Sequence, residues 1–221
     1  MFNSLELTGR CSTHVREVPE LGCILHAEAV PQVLAMRAAA RAVGIELAIV
    51  SSFRDFDRQM ALWNAKYSGA RQLLDRDGRE LTHALLSESA LIDAILIWSA
   101  LPGASRHHWG TDLDVIDRAA VAPDYRPQLV PAEFGSNGPF ARLDAWLAAN
   151  MAKFGFFRPY STDRGGVQPV SYTHLDVYKR QAHDCSTASR SSHASAARAA
   201  CLPRFPSRRW HSNRSRQDCA A

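Results

Sequence analysis

A chain of 221 residues with 46% hydrophobic content has room for one sizeable domain and enough apolar side chains to give it a core. Its net charge of +4 is uneven: residues 182–221 hold seven Arg, two Asp and no Lys or Glu, a local +5 that leaves −1 for residues 1–181. A near-neutral body gives no electrostatic case for nucleic acid, and no segment approaches the roughly 20 apolar residues of a membrane span.

Residues 1–27, with Gly9, Pro19 and Gly22, read as an irregular, turn-rich segment; Met1–Arg10 lacks the basic start and apolar run of a signal peptide. The chain therefore reads as soluble, with its compartment open. Pro31 stands where a helix can begin, and Val33, Met36, Ala40 and Val43 repeat at helical spacing until Gly44 ends it. Ile45–Val50 is a short apolar strand. Phe56, Met60 and Trp63 then fall at i, i+4 and i+7 of a second helix, whose opposite face carries Asp57, Arg58 and Asn64. Asp75–Gly78 is a turn. Leu91, Ile95 and Trp98 mark a third helix, stopped by Pro102-Gly103, and Leu113–Ile116 is a second strand. A Pro-rich loop covers 121–139, and Phe140, Leu143, Leu147 and Met151 form a fourth helix closed near Gly155. The stripes place Trp63, Trp98 and Trp146 in the core. The order α-β-α-α-β-α predicts an α+β fold, with a small central antiparallel sheet and flanking helices. The five Cys include no CxxC, and Cys11 and Cys23 read as ordinary thiols.

Ser105-Arg-His107-His108-Trp-Gly110-Thr-Asp112-Leu-Asp114 is the segment that carries chemistry. A histidine and a carboxylate seven residues apart, with a glycine between, can turn back on each other and offer a nitrogen and an oxygen to one metal. Catalytic zinc takes about three protein ligands and an open position, so this segment supplies two, on a loop-to-strand edge. Taken alone, a histidine beside a carboxylate, as His107 is, is usually structural or solvated. Asp112 and His108 are the alternative donors, and Arg54 can simply cap a helix or pair with Asp57.

Ser51-x-x-Arg54-x-x-x-x-Gln59, then Pro102-Gly-x-Ser105-x-His107-x-x-Gly110-x-x-x-Asp114, then Trp146 and Phe154-Gly-Phe156 occur in that order. Together they resemble the zinc D-alanyl-D-alanine carboxypeptidases, in their VanY-like branch, over about residues 28–169. The resemblance implies a Zn2+ hydrolase of peptidoglycan acting at the cell envelope. His107 and Asp114 are then metal ligands, Arg54 the contact to substrate and oxyanion, and Gln59 and Ser105 substrate-binding. It also implies a stem peptide ending in D-Ala-D-Ala as partner and a monomeric enzyme. An LD-carboxypeptidase, a cell-wall endopeptidase or a non-catalytic cell-wall-binding module would show the same pattern. The family then requires a Glu-x-x-His element soon after the Gly-Phe segment, its Glu a general base and its His the third ligand. No Glu follows Glu133.

Where that element is expected stands Val170-Ser-Tyr-Thr-His174-Leu-Asp-Val-Tyr178-Lys-Arg-Gln181. This peptide back-translates into DNA that, apart from its ends, is its own reverse complement, and it resembles two transposase mosaic ends joined head to head. The division that follows is a family-like domain at 28–169, an adapter-like peptide at 170–181 and a disordered Ser/Ala/Arg tail at 182–221. Residues 170–221 are therefore set aside from the fold reasoning, as a fusion scar would be. His174 lies near the expected third ligand, but position 171, three residues earlier, is Ser, so His174 is not assigned.

Overall fold

Asn3 opens the first element of the computed structural model, which describes residues 2–159 and the backbone of Ser171–His174. Its side chain accepts the amides of Leu5 and Glu6, and Glu6 returns a bond to the Asn3 amide, starting the short helix α1 (Ser4–Leu7). Strands β1 (Val15–Val18) and β2 (Cys23–His26) then pair as an antiparallel hairpin. The irregular reading of 1–27 is corrected here. Val18 and Leu25 of this hairpin belong to the main core, and strands this short carry too little alternation to be seen in sequence.

Helix α2 (Val30–Ala42) buries Val33, Met36 and Ala40 of the expected stripe, while Val43 caps its end and is exposed. Strand β3 (Leu47–Ser51) leads to α3 (Phe56–Tyr67), capped by Asp55 accepting the Arg58 amide. A two-residue hairpin, β4 (Leu73–Leu74) and β5 (Glu80–Leu81), turns on Asp75, whose carboxylate takes the amides of Asp77 and Arg79. Helix α4 (Glu88–Trp98) packs Leu91 and Ile95 on Leu73, with Trp63 half-buried against them.

Strand β6 (Asp112–Asp117) is buried along its whole length. The 121–139 loop holds a short helix, α5 (Pro131–Phe134), built around Glu133. The Glu133 carboxylate accepts the Tyr125 hydroxyl at 2.6 Å and the amides of Gln128, Leu129 and Val130. Helix α6 (Ala141–Asn150) and strand β7 (Phe156–Phe157) follow, and Leu143, Leu147 and Phe156 close the main core.

The sheet order is β3-β6-β8-β7, antiparallel throughout, where β8 is Ser171–His174. The antiparallel sheet with flanking helices agrees with the α+β expectation. β8 lies within the 170–181 peptide set apart in the sequence reading. Tyr and Thr favour strands, and the open edge of β6 offers unpaired amides and carbonyls to any such peptide. The register sets Thr173 opposite Asp112, Ser171 opposite Asp114 and His174 opposite Phe156. The rest of the 170–181 peptide and the 182–221 tail lie outside the described residues.

Candidate functional site

Strand alternation decides which side chains reach the site. In β6, Leu113 and Val115 enter the main core, so Asp112 and Asp114 point the other way, into a cleft of about 1010 Å³. A bulge between Ile49 and Ser51 shifts the β3 register and brings Ser51 opposite Asp114. The 3-10 turn Arg106–Trp109 precedes β6 and delivers His107 to the same wall.

The His107 Nδ1 lies 3.2 Å from the Asp112 carbonyl. A carbonyl only accepts, so Nδ1 carries the hydrogen and the lone pair is on Nε2. Nε2 is 3.3 Å from the Asp114 carboxylate and 3.9 Å from that of Asp112. Burial opposes protonation of His107, but Asp114 and then Asp112 outweigh it, and the net direction is upward. Two ligands at about 2.0–2.2 Å from a tetrahedral zinc stand roughly 3.4 Å apart, so the His107–Asp114 spacing fits two positions of such a site. Among the described residues, no group of three or more His, Cys, Asp or Glu could hold a metal ion.

Arg54 lines the same cleft. Its guanidinium donates to the Gln59 Oε1 and to the Ser51 Oγ, both at 2.8 Å. Burial lowers its pKa, and Asp114 and Asp112 pull the other way; guanidinium nonetheless remains charged at neutral pH. Gln59 stands behind Arg54. It is 1% exposed, and its amide is spent on Arg54 and on the Ala100 carbonyl at 2.7 Å, so it holds Arg54 rather than lining the cleft. Ser105 is buried on the cleft wall. Cys23 also lines it, but burial pushes its thiol up to about 11, which suits an inert thiol.

His108 belongs to the scaffold. It is fully buried, donates from Nδ1 to the Arg54 carbonyl at 2.6 Å, and accepts the Gly103 amide on Nε2 at 3.0 Å. Both bonds require the neutral ring, in line with burial lowering its pKa. One imidazole thus joins the Arg54 segment to the loop that carries His107. The N-terminal segment supports it from behind. His14 bonds the His108 carbonyl at 2.8 Å, and a Cβ at Gly9 would stand 2.3 Å from the His108 ring. Spacing in the sequence gives no signal for these last two contacts.

The amino-acid pattern itself, compared with protein families, matches the VanY model, D-alanyl-D-alanine carboxypeptidase, over residues 22–174. That span is well over half of the chain. The protein belongs to the VanY family of D-alanyl-D-alanine carboxypeptidases. An uncharacterized Haemophilus influenzae protein is 37% identical over 98 residues, covering 43% of this chain and 67% of the relative. Two solved structures share the fold. VanYB in complex with D-alanine-D-alanine has 18% identity and a TM-score of 0.54, covering 77% of this chain and 83% of that one. A mutant of a vancomycin-resistance D,D-pentapeptidase VanY in complex with Zn(II) also has 18% identity and a TM-score of 0.54, covering 78% and 87%. The VanY match starts within the N-terminal hairpin and ends on β8, so it is wider at both ends than the 28–169 expected from motifs.

Two stability predictions follow from this scaffold. His108→Ala leaves the Arg54 carbonyl and the Gly103 amide without partners in a buried site, and each unmet group costs about 1–3 kcal/mol. We expect a loss of about 2–4 kcal/mol, measured as a shift in urea midpoint at constant m. Gly110 sits at φ 67°, and a Cβ there would stand 2.4 Å from the Val15 Cγ1 and 2.8 Å from the His26 amide nitrogen. Left-handed backbone costs a side chain about 1–2 kcal/mol before any clash, so Gly110→Ala should lose at least that much in the same experiment.

Proposed function

We propose that this VanY-family chain is built as a zinc-dependent carboxypeptidase of peptidoglycan stem peptides ending in D-Ala-D-Ala, and that the present sequence is not catalytically competent. The observation that carries the reading is the 3.3 Å approach of the His107 Nε2 to the Asp114 carboxylate, in a cleft whose wall also carries a braced arginine. His107 and Asp114 would hold the metal. Zinc, when bound, lowers the pKa of a ligated water and polarises the scissile carbonyl.

The chain's own residues supply the rest. Arg54 offers a forked pair of donors to the substrate carboxylate or to the oxyanion. Ser51 and Gln59 fix its direction, and Ser105 forms the wall beside it. Asp112 keeps the His107 tautomer through its carbonyl. What the sequence lacks is the Glu that the family places here to take the proton from water and pass it to the leaving amine, because no Glu follows Glu133. A third zinc ligand is missing from the same place. The register sets positions 171 and 173 opposite the two aspartates.

We propose further that the domain at 28–169 is truncated, that 170–181 is an adapter-like insertion, and that 182–221 is an unrelated continuation. The test is an amplified genomic clone across codon 169, sequenced without a transposon-prepared library. The expected clone encodes a Glu-x-x-His element within about ten residues after Pro169. A clone that encodes Val170–Gln181 in place would overturn the insertion.

A further inference from the structure

Two aspartates reach the His107 end of the cleft, and their surroundings tell them apart. Asp112 and Asp114 are two residues apart on β6 and share one face of the strand. Asp112 is the more buried, at 3% exposed against 8% for Asp114. Its Oδ2 lies 3.9 Å from the His107 Nε2, against 3.3 Å for the Asp114 carboxylate. A small turn about its own side-chain torsions would bring it to the distance that suits a shared metal. Its other oxygen, Oδ1, faces Arg106, whose Nε is 3.7 Å away and within ion-pair range. Arg106 is itself anchored, with a side chain 14% exposed. Its guanidinium carbon stands 5.2 Å from the Trp109 ring centroid and 5.9 Å from that of Phe157, both within reach of a cation–π contact. Trp109 belongs to the turn that carries His107 and Phe157 to β7, so turn and sheet together fix this cation beside Asp112.

From this geometry we infer that Arg106 is a positioning residue that holds the Asp112 carboxylate away from the metal, so that Asp114 alone of the two aspartates serves as a ligand. A buried carboxylate needs a partner, and beside a divalent cation it would otherwise take that cation. The attraction between Arg106 and Asp112 is stronger in a buried cleft than in water, and it engages Oδ1, leaving Oδ2 at the longer distance from His107. Catalytic zinc keeps one position open for water. A second carboxylate there would displace the water and add negative charge, which weakens the acidity that the site must confer on it. Arg106 thereby keeps the open position open. The inference rests on the zinc reading above.

The experiment is zinc titration of the full chain in competition with a chromophoric chelator, with a His107→Ala chain to measure zinc held elsewhere. Partners of metal ligands shift affinity by about 10–100-fold. Arg106→Met should bind zinc about tenfold more tightly than the unmodified chain, a gain at the low end of that range. Arg106→Gln should do the same. Arg106→Met with Asp112→Asn removes both members of the ion pair and should return to within about twofold of the unmodified affinity. A damaged fold lowers affinity, so a gain separates lost restraint from lost folding. A crystal structure of zinc-loaded Arg106→Met should place an Asp112 oxygen about 2.0–2.2 Å from the metal. Unchanged or weaker binding by both single variants overturns the inference alone. A gain that survives Asp112→Asn, or one without an Asp112 oxygen on the metal, does the same. If neither the unmodified chain nor any variant holds more zinc than His107→Ala, the inference falls together with the assignment of His107 and Asp114.

Discussion

Asp114→Ala, placed in a version of this chain repaired after Pro169 with a Glu-x-x-His element, should lose zinc by at least about 100-fold in affinity and most of its peptidase activity. Changes to residues that merely support a zinc ligand cost about 10–100-fold, and removing a ligand costs more. Asp112→Ala in the same background should keep most of the metal. Its carboxylate is 3.9 Å from the His107 Nε2 against 3.3 Å for Asp114, and its bond to the His107 Nδ1 comes from the backbone carbonyl, which an alanine retains. Metal content by atomic absorption after dialysis reads both. Full zinc in Asp114→Ala, with loss in Asp112→Ala, would exchange the roles of the two aspartates.

The repaired chain should also release D-alanine from a D-Ala-D-Ala peptide far faster than the chain as it stands, both with zinc added. General acid–base catalysis contributes about 10²–10⁴-fold, so that range is the minimum gap. A site with two protein ligands surrenders zinc to buffer and competing chelators, which widens it. Arg54 stays braced by Ser51 and Gln59 in either form, so substrate should still bind to the unrepaired chain and the deficit should fall on kcat more than on KM. Equal turnover by the two chains would mean that a residue in 170–221 completes the site, and His174 would be the first to change to Ala.

Much of the fold was legible because its helices are long enough to show a period. Val33, Met36 and Ala40 on α2, and Leu143 and Leu147 on α6, are both the sequence stripe and the buried face. The N-terminal hairpin was not legible, since four-residue strands leave one or two inward positions each and Val18 and Leu25 gain meaning only against α2. The site divides along the same line. Ser105, His107, Gly110 and Asp114 share one segment whose spacing carries the chemistry. Asp112 and Asp114 reach the cleft by strand alternation, which the sequence does display. For Gln59 the motif says that the residue matters and not what it touches. Its contacts with Arg54 and Ala100 exist only in three dimensions.

Zinc-edge anomalous diffraction from crystals of the repaired, zinc-loaded chain tests the assignment most directly. The expected result is one strong peak about 2.0–2.2 Å from both the His107 Nε2 and an Asp114 carboxylate oxygen, with the restored His as third ligand. A peak bound through Asp112 or His108 instead, or no peak between His107 and Asp114, would contradict it.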